Sequence, residues 1–104
     1  MTESEKTFHR IINELPKGIE GKMFGAKSIK AANGKTAAFF WKENMTFKLD
    51  KETQLEALKL DGSRIASHLY ATEKPMNGWV LIPERHSEKW LGFAKKAVDY
   101  VENI

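Results

Sequence analysis

Residues 22–49 read KMFGAKSIKAANGKTAAFFWKENMTFKL, and their apolar and β-branched runs are broken at Asn33-Gly34 and again at Lys42-Glu43-Asn44. This pattern predicts a three-stranded antiparallel meander, with strands over residues 23–30, 36–41 and 45–49. Asn33-Gly34 is a strong hairpin signal because both residue types tolerate positive φ. In the third segment Met45, Phe47 and Leu49 alternate with Thr46 and Lys48, as a half-buried strand requires. The second segment lacks that alternation. Ala37, Phe39 and Trp41 share one face, while Ala38 and Phe40 make the other face apolar too, so both faces need cover.

Upstream of the meander, Phe8, Ile11, Ile12 and Leu15 fall at helical spacing over residues 4–15. Ser4 is the expected N-cap, and Pro16 and Gly18 the stop. Downstream, Asp50 is placed to cap a second helix that turns Leu55, Leu58 and Ala57 inward and closes at Gly62. A short strand is expected near residues 67–70, followed by a polar loop. A strand over residues 78–82, again apolar on both faces, ends at Pro83. The last helix is expected to start near Ser87. It repeats Trp90, Phe93, Ala94, Ala97, Val98 and Val101 at helical spacing.

The order predicted is helix, three strands, helix, two strands, helix, in one α+β domain over residues 1–104. Its antiparallel sheet carries helices packed on it. The chain of 104 residues can close one core, and 41% hydrophobic with 30% charged residues is a globular balance. No apolar run has the length of a membrane span and the N-terminus is unlike a signal peptide, so a cytoplasmic location is the default expectation. The absence of cysteine excludes thiolate metal sites, disulfides and thiol nucleophiles.

The net charge is +3, yet only three of the 17 basic residues are arginines, Arg10, Arg64 and Arg85. Base readout and phosphate clamping favour the planar guanidinium, so the composition is a poor nucleic-acid signature. Gly25-Ala26-Lys27-Ser28 lacks the glycine that a phosphate-binding loop needs before its lysine. His9, His68 and His86 lie on three different elements, without metal-ligand spacing. Ser28, Ser63, Ser67 and Ser87 lack a nucleophile elbow. No catalytic residue, cofactor or metal is expected. Glu84, Arg85 and His86, at the exit of the last strand, are the polar candidates for a ligand-facing loop.

Aromatic residues carry the stronger signal. Three helices ordinarily cover one sheet face, and two strands are apolar on both. The surplus predicts a working surface for a partner subunit or small ligand, around Phe40 and Val80 or around Trp41 and Trp79, with Lys48 nearby. One helix crossing to the far side would also absorb it.

Met23-Phe24-Gly25, Asn33-Gly34-Lys35, Met45-Thr46-Phe47-Lys48-Leu49 and Met76-Asn77-Gly78-Trp79-Val80 with Pro83 resemble the TfoX N-terminal-like domains, related in fold to YjbR-like proteins. The likeness covers about residues 17–101. It implies an α-β(3)-α-β(2)-α layout similar to secretion chaperones, and a bacterial setting. The best-known members are regulators of natural competence that carry a second, C-terminal domain, so this chain reads as a stand-alone member. No catalytic residues come with the resemblance.

Three functions follow as expectations. The leading one is a small non-enzymatic binding or regulatory module acting through a protein partner or its own dimer. The second is nucleic-acid association through Lys22, Lys27, Lys30, Lys48 and Lys74. The third is a small-molecule sensor or enzyme with a pocket between the last strand and the closing helix.

Overall fold

Phe8, Ile11 and Leu15, one helical turn apart, form the buried stripe of the first helix, α1 (Glu3–Glu14). The computed structural model describes residues 2–15, 18–23, 26–67 and 75–104. Thr2, not Ser4, is the N-cap, accepting the amide hydrogen of Glu5. Ser4 sits inside the first turn, buried. Leu15 closes the helix in extended conformation, and Pro16 lies outside the described residues.

The meander has four strands, β1 (Ile19–Met23), β2 (Ala26–Lys30), β3 (Thr36–Trp41) and β4 (Asn44–Lys48). The single strand expected over residues 23–30 is thus two, because the chain reverses between Met23 and Ala26. At the next turn only Gly34 has positive φ (84°), not Asn33. Asn33 contributes through its side chain instead. Its Oδ1 accepts from the Lys35 amide, and its Nδ2 donates to the Val101 carbonyl at 3.0 Å. The third reversal is a two-residue turn at Lys42-Glu43, with φ of 49° and 70°. That is type I′ geometry, where glycine or asparagine is usual.

The second helix, α2 (Lys51–Leu58), is capped by Asp50 as expected, with Oδ1 accepting from Thr53 N at 2.7 Å. That bond holds the Asp50 carboxyl below its ordinary range. Thr53 and Ala57 turn inward while Leu55 is 59% exposed. The i, i+4 pair beginning at Thr53 faces the sheet, and Leu55 lies off that stripe. Gly62 (φ 86°) belongs to the turn beyond the helix rather than to its end. Two strands follow, β5 (Arg64–Ser67) and β6 (Pro75–Ile82). The strand expected over residues 67–70 therefore starts earlier, and positions 68–70 lie outside the described residues. Pro83 opens a 3-10 segment (Glu84–Lys89), and α3 (Trp90–Glu102) begins after it. Ser87 is not its cap.

All six strands join one antiparallel sheet in the order β1-β2-β3-β4-β6-β5. One face, bearing Ile29, Ala38, Phe40, Met45, Phe47, Val80 and Ile82, forms the core with the helices. Phe40 lies between Phe8 of α1 (ring centroids 5.7 Å apart) and Trp90 of α3 (6.5 Å). Ala94 and Ala97 let α3 lie close on the sheet, and Ala57 brings α2 to the same cluster. Each buried aromatic in this layer stabilises the fold by about 1.5–3 kcal/mol. The Trp90 indole donates to the Ile82 carbonyl at 3.2 Å, so its one polar atom is satisfied.

Polar clamps register the helices. Glu43, at the β3–β4 turn, accepts hydrogen bonds from the hydroxyls of Ser4 and Thr2, which hold its carboxyl below the ordinary glutamate range. Glu5 is lowered likewise by its bond to Lys27 of β2. Carboxyls with depressed folded pKa values contribute stability that is complete above their unfolded values and is lost as pH falls through the folded ones. Thermal midpoints should accordingly drop from about pH 5 downward. Glu43→Gln should melt earlier at neutral pH and show a flatter acid limb. An acid limb of unchanged slope in that variant would contradict the clamp.

Candidate functional site

Period-two alternation separates the five predicted surface residues onto opposite faces of the sheet. Phe40 (9% exposed) and Val80 (0%) lie on the helix-covered face, as core. They form no working surface, because Phe40 lies between Phe8 and Trp90 and Val80 is enclosed in the same core. Trp41, Lys48 and Trp79 lie on the opposite face, where Lys48 is directly across from Trp79 and Trp41 stands at the other end of β3, across from Asn44. Among the described residues no helix lies on that side, so the alternative of a helix crossing over is not realised.

One row across this helix-free face runs Gly21, Ser28, Phe39, Thr46, Leu81 and Arg64, each directly opposite the next. Its centre is closed, with Ser28, Phe39 and Thr46 all buried. The Phe39 and Trp79 rings are 5.4 Å apart, and the Lys48 ammonium lies 5.7 Å from the Trp79 centroid. Lys42 lies similarly over Trp41, 6.0 Å from its ring. Much of the aromatic surplus is therefore absorbed within the chain. Trp41, Lys48, Trp79 and Leu81 remain half-buried on this face, with Lys30, exposed Arg64 and exposed Ile19 beside its closed centre.

Charge on this face has one sign. Lys30, Lys48 and Arg64 occupy strand positions there, and among the described strand residues no carboxylate does. Arg64 was not foreseen, because the strand carrying it was expected three residues later. Of the other lysines considered for nucleic acid, Lys22 and Lys27 lie on the helix side. Lys27 is tied to Glu5 and, at 3.0 Å, to His9 Nε2. Lys74 lies outside the described residues.

The polar trio serves a turn. His86 Nε2 meets the Asp61 carbonyl at 2.8 Å, and Arg85 Nη1 lies 3.3 Å from Asp61 Oδ2. Glu84 is exposed, and its amide donates to Asn44 Oδ1 at 3.1 Å. Arg85 and His86 thus fasten the turn between α2 and β5, and the structure does not gather the trio around a pocket. A groove of about 480 Å³ opens elsewhere, between α2 and α3, with Leu60 and Phe93 among its lining residues. Among the described residues no group of three or more histidine and carboxylate side chains could hold a metal, and no helix is long and apolar enough to cross a membrane. His68 lies outside the described residues.

No known protein family, curated protein or solved structure matches this chain.

The turn fastened by Arg85 and His86 depends on Gly62. Its φ of 86° is costly for any other residue, and an added Cβ would press on the Arg85 guanidinium and on Pro83. Gly62→Ala should cost about 1–3 kcal/mol in urea unfolding. Adding Arg85→Ala should recover only the part owed to the guanidinium. A neutral Gly62→Ala would contradict the conformation of this turn.

Proposed function

We propose that this chain is a small non-enzymatic binding module that takes a protein partner of acidic character on the rim of its helix-free sheet face. The observation that carries this reading is the Lys48–Trp79 pair on a face that also bears Trp41, Lys30 and Arg64 and has no carboxylate at its described strand positions. Half-buried tryptophans supply rigid contact area at low entropic cost, and unopposed cations favour a negatively charged partner. The same reading makes the chain a cytoplasmic regulator, and a relative of the TfoX N-terminal-like domains. Its support there is the two groups of strands separated by a helix, although the first group has four strands rather than three. Likeness of fold leaves the activity open to the site.

A second reading, association with single-stranded nucleic acid, draws on the same pairing of lysine with aromatic rings. The occupied faces of these rings count against it. Trp79 has Phe39 on one side and Lys48 near it, which leaves little ring surface for a base.

Three tryptophans provide the test. Trp90 is buried, so its indole N–H resonance should stay still while those of Trp41 and Trp79 report on the rim. A short glutamate-rich peptide should shift the latter two, and Lys48→Glu should weaken its binding by about tenfold. A short oligothymidylate that shifts them instead, with steep salt dependence, would favour the second reading. If neither ligand moves these signals, the rim is not the binding surface.

A further inference from the structure

β1 forms one edge of the sheet and, among the described strands, pairs with β2 alone. Its register with β2 is regular over five consecutive pairs, whereas the opposite edge strand, β5, carries a register shift. Ile19, Glu20 and Lys22 are exposed, and Ile19, at 53%, is one of only three large hydrophobic residues so exposed among those described. An even edge with an exposed apolar residue is a template for another strand unless bulges, cover or charges block it. The charges of β1 are one of each sign, and that makes the edge selective.

We infer that a second copy of this chain pairs with β1 to form a two-fold symmetric dimer through a continuous sheet. The strand reads Ile-Glu-Gly-Lys-Met, with glycine at its centre. Antiparallel pairing about Gly21 sets Glu20 of each copy opposite Lys22 of the other. It also sets position 19 opposite position 23. A two-fold interface makes each of these contacts twice. Residues directly opposite must point to the same face, so keeping the helices of both copies on one side allows only even shifts of register. The neighbouring even registers would set Glu20 against Glu20, or Lys22 against Lys22. Only the register centred on Gly21 pairs opposite charges. Gly21 already serves its own chain, because the Lys30 side chain crosses above it and a Cβ there would lie 2.8 Å from Lys30 Cε.

This inference does not rest on the binding role of the helix-free face. Its readout is the state of association of the protein alone, so the two succeed or fail separately. Sedimentation equilibrium at low salt should show a monomer–dimer equilibrium. Lys22→Glu places carboxylates opposite one another at both contacts and should raise the dissociation constant about tenfold or more. Glu20→Lys combined with Lys22→Glu inverts both pairs and should restore association. Both side chains are exposed, and circular dichroism will confirm that the variants fold. A monomer at all accessible concentrations overturns the inference, leaving Glu20 and Lys22 as guards of the edge. A dimer that Lys22→Glu leaves intact, or that the double exchange fails to restore, overturns it equally.

Discussion

The burial of Trp90 is the constraint on which the rest depends. A fully enclosed indole must give its N–H to an acceptor, and the one it reaches is the carbonyl of Ile82, the last residue of β6. That bond brings the start of α3 back over the end of the strand that precedes it, and the 3-10 segment spans the gap. Trp90 then meets Phe40, and Phe40 meets Phe8, so one aromatic contact line sets β3, α1 and α3 in register. The stripe of Ala94, Ala97, Val98 and Val101 extends the same docking along the sheet.

Because these contacts draw the helices to one side, the molecule is two-sided in chemistry as well as in shape. The covered face is spent on stability. On the other, Ser28, Phe39 and Thr46 are buried at the centre, and the half-buried tryptophans Trp41 and Trp79 each lie beside a lysine. Recognition on the rim is then set by the sign of its charges and by two tryptophans. Its area is small.

Features whose cause is local were legible in the residues. The capping by Asp50, the Asn33-Gly34 reversal and the amphipathic stripes of α1 and α3 appear where their side chains predict, and β4 turns Met45 and Phe47 to one face and Thr46 and Lys48 to the other, although Thr46 is buried as well. β1 was not legible, because an edge strand with glycine between opposite charges carries the same signal as a loop. The reversal at Lys42-Glu43 was legible as a break between apolar runs, but its geometry was not, since nothing in that dipeptide favours positive φ. Its second residue is held there by Thr2 and Ser4, far away along the chain. The choice between Phe40 with Val80 and Trp41 with Trp79 could not be made from periodicity, as both sets are apolar and only the docking of the helices tells them apart. The anchoring of Arg85 and His86 on Asp61 belongs to the same class, a contact between segments that no local pattern encodes.

The β2–β3 hairpin also bears on the order in which the chain can fold. Asn33 and Lys35 bind carbonyls of Val101 and Ile104, at the far end of α3. These bonds close loops of nearly seventy residues. Loop closure of that kind is charged against the chain before the contact repays it. During synthesis the meander is therefore complete long before its hairpin tip and its core face acquire their partners. Until α3 arrives, the row from Phe8 through Phe40 faces water. α3, through Trp90 and the buried stripe that follows it, supplies the cover for that row.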